Sequence, residues 1–355
     1  MTRQTLKETI YTSAQRALVQ IRKDGSLPPG HNGPYFDNET PVRNTGHWLM
    51  VFLKAYEHSG ESRFKEAAAQ CLNFLLSEKS RPHNATFWHR MNPKKDFTNG
   101  LIGQAWTIEA LVYAYTVFKD ERILEVAKEV FNLHPYDNEL KGWKTVNIDG
   151  AVSRFDYTFN HQLWFCAAGA LLLKEGSDKA SESVMDFIKN IPNAVKLYNS
   201  GVIRHIPPFF LKKGLIMKLR AFVSEMRRNI KEYSYIYQKS IGYHGFNLYA
   251  IALIDNTLKD SNLLRTNSIK KAIRATEKNT FRKLTLSSKY AYPYNPIGFE
   301  LAYTYYVLGD IEKTDYWLTQ QYQQTFDTNS GMFDGGKTFD KLTAAARIYE
   351  AIRLV

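Results

Sequence analysis

His47, Gln104 and Gln162 stand near the starts of three successive helix pairs, 57 and 58 residues apart, and that spacing restricts the fold more than any other feature. Each pair follows one plan: a long polar and aromatic loop, a mostly apolar helix, a tight turn, and a more amphipathic helix. The first copy reads TGHWLMVFLKAYEHSGESRFKEAAAQCLNFLL, the second GLIGQAWTIEALVYAYTVFKDERILEVAKEVF and the third FNHQLWFCAAGALLLKEGSDKASESVMDFIKN. A fourth starts at YHGFNLYAIALI and a fifth at PIGFELAYTYYVLGD, and a last apolar helix, FDKLTAAARIYEAIRLV, has no successor. The unpaired first helix, over residues 2–23, supplies the missing outer partner. The pattern predicts an all-α fold: an (α/α)6 toroid of six helical hairpins, formed as a single domain over residues 1–355, in which the first helix closes the ring with the last.

The turns from inner to outer helix are short (HSGES, FKDER, EGSDK, LGDIE), whereas the loops from outer to inner helix run from about a dozen to some fifty residues. Long loops in a compact domain usually carry function, so the working surface is expected at the mouth where the inner helices begin. Helix N-termini there present free N–H groups, which suit anions. Aromatic residues make up 14% of the chain, enough to fill a core and leave rings over for a stacking surface. Cys71 and Cys166 lie in separate apolar segments and read as core residues of a reducing compartment. The N-terminal stretch carries charges throughout and lacks a secretory pattern, and no run of apolar residues is long enough to span a bilayer. A cytoplasmic location is therefore expected. No GxGxxG or GxxxxGK[ST] phosphate loop and no close histidine pair with a third ligand occurs, so neither cofactor nor metal is expected.

The inner-helix starts resemble those of six-hairpin toroid enzymes of carbohydrate metabolism: glycosidases, uronyl hydrolases, polysaccharide lyases and sugar epimerases. Locally, NGLIGQAWTIEALVYAYTVFKDERILEVAKEVF is similar to a hairpin of glucuronyl C5-epimerases, and VKLYNSGVIRH followed by GYHGFNLYAIAL is similar to a later segment of the same enzymes. This resemblance implies the toroid and a polysaccharide or oligosaccharide substrate. It does not choose among hydrolysis, epimerisation and elimination.

Each chemistry selects its own residues. Hydrolysis needs two carboxyls, one protonated and one ionised. Asp156, in SRFDYTFNHQLW, is the candidate acid, because partial burial among aromatics would raise its pKa, and Glu300, in PIGFELAY, is the candidate base. Each also has a plain structural role open to it, Asp156 as a helix cap and Glu300 as one half of an ion pair. Epimerisation or elimination instead needs a base beside a carboxylate and a cation to hold that carboxylate. His161, His244 and Tyr157 are the candidates for proton transfer, with Arg43 for the carboxylate. For binding, His47, Trp88, Trp106, Trp143, Gln104, Asn160 and Gln162 all fall at or near the mouth. Core packing or helix capping would account for several of them equally well.

The net charge is +12, and residues 203–240 hold nine basic against two acidic residues, so this stretch supplies +7 of it. Its apolar stripe beside those charges fits a basic amphipathic insertion, either docked on an anionic membrane or folded as a lid or partner interface. The membrane reading places the protein peripherally on the inner membrane face, meeting a lipid-linked glycan. Nucleic acid is not expected as a partner. Taken together, the chain reads first as a glycoside hydrolase-like enzyme of surface-polysaccharide metabolism acting on an acidic glycan. A uronyl C5-epimerase or polysaccharide lyase is the second reading, and a non-catalytic glycan-binding or scaffold protein the third.

Overall fold

The computed structural model describes residues 3–205, 233–259 and 261–355. Six elements form an inner ring: α2 (Val42–Ser59), α4 (Gly100–Phe118), α6 (Phe159–Lys174), α8 (Tyr233–Thr257), α11 (Ile297–Val307), and α13 (Lys341–Ala346) with the 3-10 turns Arg347–Leu354 that continue it. Each packs on the next, and the Arg347–Leu354 segment lies against both α11 and α2, which closes the ring. Around it stand α1 (Arg3–Ala17), α3 (Ser62–Leu75), α5 (Glu121–Asn132), α7 (Ser181–Ala194), the short pair α9 (Asn267–Ala275) and α10 (Asn279–Ser287), and α12 (Ile311–Thr325). The toroid is therefore present, with α1 packed on α2 and touching the final segment.

Sequence explains the two layers. The inner helices α4 and α6 are apolar on nearly every side, as helices must be when neighbours surround them. Leu101, Ile108, Leu111, Leu163, Phe165 and Leu172 are fully buried, each contributing about 1.5–3 kcal/mol. Outer helices such as α5 bury one stripe, Ile123, Leu124, Ala127, Val130 and Phe131. The short turns stop helices cleanly: Gly60 ends α2 at φ 71°, and the Asp120 carboxylate caps α5 by accepting from Arg122 N.

Two details depart from the sequence expectation. A three-stranded antiparallel sheet, β1 (Tyr136–Asp137), β2 (Gly142–Val146) and β3 (Val152–Phe155), fills the loop before α6, with β2 in the middle. Strands of two to five residues leave little periodicity to read. The helix α8 begins at Tyr233, ten residues before the expected start, and so carries the end of the basic stretch into the inner ring. Residues 206–232, the rest of that stretch, lie outside the described residues. Among the described residues no helix is long and apolar enough to cross a membrane.

Candidate active site

The mouth holds a cavity of about 210 Å³, and each hairpin contributes to its wall. Asn32 and Tyr35 come from the loop before α2, Arg90 and Lys95 from the loop before α4, and Asn160 and His161 from the first turn of α6. His205 and the α8 residues Lys239 and Tyr243 follow, then Tyr294 before α11 and Arg347 at the start of the final 3-10 segment. Among the described residues, four permanent or near-permanent cations face this space and no Asp or Glu does.

His161 is positioned by a short chain of backbone events. β3 ends at Phe155, and the next residue, Asp156, turns the chain into α6 by accepting Thr158 N at 3.0 Å. Its other carboxylate oxygen takes the Leu101 N–H at the start of α4 (3.2 Å) and meets His161 Nδ1 at 2.8 Å. Gly100, at φ 59°, is required here, since a Cβ would sit 2.5 Å from that oxygen. Burial alone would raise the Asp156 pKa, but the His161 contact and the two N–H bonds outweigh it and hold it at about 2. The expectation of a raised, proton-donating Asp156 is thus corrected: its carboxylate is ionised and accepts. An ionised acceptor at Nδ1 puts the imidazole proton there, so in the neutral ring Nε2 carries the lone pair.

Glu300 is also corrected. It is fully buried away from the cavity and pairs with Arg347 at 3.2 Å, and burial followed by the neighbouring Glu350 pushes its pKa well up. The ion-pair role is the one the structure supplies. His244 is used up structurally: Nδ1 accepts from Ile203 N at 3.1 Å and Nε2 lies 3.0 Å from Ala272 O. Replacing His244 with Phe leaves that N–H and C=O without their partner, so we expect a loss of about 1–3 kcal/mol in urea unfolding with turnover per folded molecule unchanged. Tyr157 is 43% exposed, lies against Phe155 and does not line the cavity.

Of the binding candidates, Trp106 and Asn160 line the cavity, and the Asn160 carbonyl has no partner among the described residues. Arg43 sits one layer behind, 4.1 Å over the Trp106 ring and paired with Glu39 at 3.1 Å. His47 is buried and stacked on Tyr349 at 4.0 Å; burial, then Arg43 and Arg347, push its pKa well down. Gln104 and Gln162 do one job twice. Each pairs its side-chain amide with both backbone groups of one loop residue, Phe87 or Trp143, and reaches a second carbonyl, Thr98 or Asp156. Their matched spacing marks a bracket that pins loops to helices, away from the cavity. Trp143 is 1% exposed within a ring cluster of Phe131, Tyr136, Phe165 and Phe187, and Trp88 donates its indole N–H to Arg90 O at 2.6 Å. Neither presents a face to the cavity.

No family model matches the sequence. Archaeal glycosylation protein Q of Haloferax volcanii is 40% identical over 364 residues, covering 99% of this chain and 97% of that protein. The chain belongs to the archaeal glycosylation protein Q family. Two solved structures share the whole fold: a D-mannose isomerase (TM-score 0.67, 14% identity, 100% of this chain and 98% of that one) and the cellobiose 2-epimerase of Bacillus thermoamylovorans (TM-score 0.63, 13% identity, 100% of both). At those identities the likeness concerns the fold, and it agrees with the resemblance to six-hairpin toroid carbohydrate enzymes.

In this member of the glycosylation protein Q family, sequence reasoning missed Tyr35, Arg90, Lys95, His205, Lys239 and Arg347. Two of them left a trace. Arg347 and Glu350 are an i, i+3 charge pair inside an apolar segment, a pattern that implies burial with function or structure attached. Lys239 is one helical turn before Tyr243, on the same face of α8. Burial, then the charge of Lys95, lowers the Lys239 pKa to about 8, and its ammonium lies 5.2 Å and 5.8 Å from the Tyr35 and Tyr243 ring centroids. The Tyr35 and Tyr243 hydroxyls are 2.9 Å apart, and burial keeps both phenols protonated.

Proposed function

We propose that this chain is a carbohydrate-active enzyme of glycan assembly that inverts a carbon of an anionic sugar by proton transfer, in the manner of a uronyl C5-epimerase. The observation that carries the proposal is the Asp156–His161 pair opening onto a cavity that, among the described residues, is lined by cations and no carboxylate. The His161 Nε2 lone pair takes the proton from the carbon next to the sugar carboxylate, and the C–H electron pair moves into that carboxylate. Arg347, Lys239 and Arg90 stabilise the added negative charge, each positioned before the reaction begins. The Tyr243 hydroxyl, backed by Tyr35, returns a proton to the other face of the carbon. The printed name of the Haloferax relative, a glycosylation protein, supports a glycan as the substrate.

Hydrolysis through Asp156 and Glu300 has less support, since neither carboxyl lines the cavity and one is held ionised while the other is paired with Arg347. A lipid-linked substrate and docking at the inner membrane face rest on residues 203–240, most of which lie outside the described residues. Incubation with glucuronate-containing oligosaccharides in D₂O, followed by NMR, tests the reading. Deuterium at C5 without new reducing ends is the expected result; new reducing ends without C5 exchange would transfer the assignment to hydrolysis.

The same reading predicts a pH effect. Lys239 binds an anion only when charged, so kcat/KM should fall as pH rises through about 8, where its ammonium deprotonates. Lys239→Met should lower kcat/KM by about tenfold or more at pH 7 and flatten that alkaline limb.

A further inference from the structure

The cavity is too small for more than one sugar ring: at about 210 Å³ it falls below the roughly 300–1,000 Å³ of pockets that enclose drug-sized ligands. The remainder of any oligosaccharide must leave over the rim. Near the cavity lies a more open groove of about 470 Å³, whose lining includes His31, Asn38, Glu39, Met91, Phe339, Asp340 and Lys341. At two places consecutive residues divide between the two spaces. Asn32 and Arg90 face the cavity, while His31 and Met91 face the groove, and adjacent Cα atoms are only about 3.8 Å apart.

The groove's floor is built rather than incidental. The Asp340 carboxylate ties its two walls together by accepting from His31 N (2.8 Å), Gly33 N (3.1 Å) and Thr343 N (3.2 Å). Phe36 is held at φ 48°, a left-handed conformation that is unfavourable for a bulky residue, and its ring is 68% exposed. The His31 ring stacks on it at 5.2 Å with a 7° tilt, and Phe339, 45% exposed, meets it edge-on at 5.8 Å. A solvent-facing aromatic in a strained backbone gains nothing for the core.

We propose that the Phe36–Phe339 shelf is an outer subsite that stacks on the apolar face of the next pyranose ring of an oligosaccharide whose reacting unit occupies the cavity. This rests on the glycan reading given above. Sugar is the occupant because the groove sets the Phe339 ring, with Phe36 packed against it, among hydrogen-bonding groups, Asn38, His31 and Lys341, as a pyranose alternates C–H faces with equatorial hydroxyls. A lipid chain would call for a continuous apolar lining.

The test compares the binding of D-glucuronic acid with that of a heparosan trisaccharide ending in glucuronic acid, measured by calorimetry on the full chain. Wild type should bind the trisaccharide about tenfold more tightly, and Phe36→Ala/Phe339→Ala should remove that gain while leaving the monosaccharide affinity unchanged. Both rings are exposed, and an unchanged near-UV circular dichroism spectrum checks the fold. Equal affinity of wild type for the two sugars, or a gain that survives in the double variant, overturns the subsite alone. Binding of neither sugar overturns the anionic-sugar site and the subsite with it. Arg347→Lys should weaken both ligands alike, which separates the cavity from the shelf.

Discussion

Replacing His161 with Asn is expected to reduce C5 proton exchange by a factor of about 10²–10⁴, because it removes the only group in the cavity whose basic nitrogen is oriented by an ionised carboxylate among the described residues. Asp156→Asn should come close to the same loss by a different route. An amide at that position can donate to Nδ1, which moves the ring proton to Nε2 and hides the lone pair from the substrate. The two variants should differ in stability. His161 is partly exposed, so its loss costs little, whereas Asp156 accepts the Leu101 and Thr158 N–H groups and helps join α4 to α6. Single-turnover exchange in D₂O with urea unfolding in parallel measures both. Full exchange activity in His161→Asn would remove the histidine from the mechanism.

Arg347→Met is expected to destabilise the fold by about 3–5 kcal/mol, the largest stability effect predicted here. The Arg347 guanidinium bonds to Glu350 and Glu300, the Tyr294 carbonyl and the Asn295 side chain, all buried. Without it, two carboxyls face each other in the ring interior with no counter-ion from that residue. Burial already pushes Glu350 up to about 7 and Glu300 well above its usual value, and losing the cation raises both further. Raised folded-state pKa values mean that the native state binds more protons than the unfolded one, so the variant should lose stability as pH rises from 5 to 8. Urea midpoints at those two pH values decide it. A midpoint independent of pH would show that the carboxyls are compensated elsewhere.

The toroid was legible because its signal is repeated: several apolar helices with short turns at one end and long loops at the other. Individual sites lack that redundancy. Gln104 and Gln162 stood out because they recur, and what they share is a bracket between loop and helix, which His47 at the matching place does not make. Glu300 was open to an ion-pair role, but its partner, Arg347, lies 47 residues further along the chain, too far for a local reading to name. Asp156 was found as a residue, but its low pKa comes first from the contact with His161 and then from the Thr158 and Leu101 N–H groups, the last of which lies in a different hairpin. Lys239 was assigned to a surface insertion because the start of α8 was set ten residues too late. For Glu300, and for part of the anchoring of Asp156, the missing information was a contact between hairpins.

That dependence has a consequence for how the protein comes to be active. The cavity wall takes a residue or more from every hairpin, from the inner element or the loop before it, and its key pair joins the start of α4 to the start of α6. A chain with five hairpins docked and the last still loose would lack Arg347, and with it both a cavity wall and the counter-charge of two buried acids. If the proposed activity holds, it should therefore arrive in one step at the end of folding, which would make turnover an assay for whether the circle has shut.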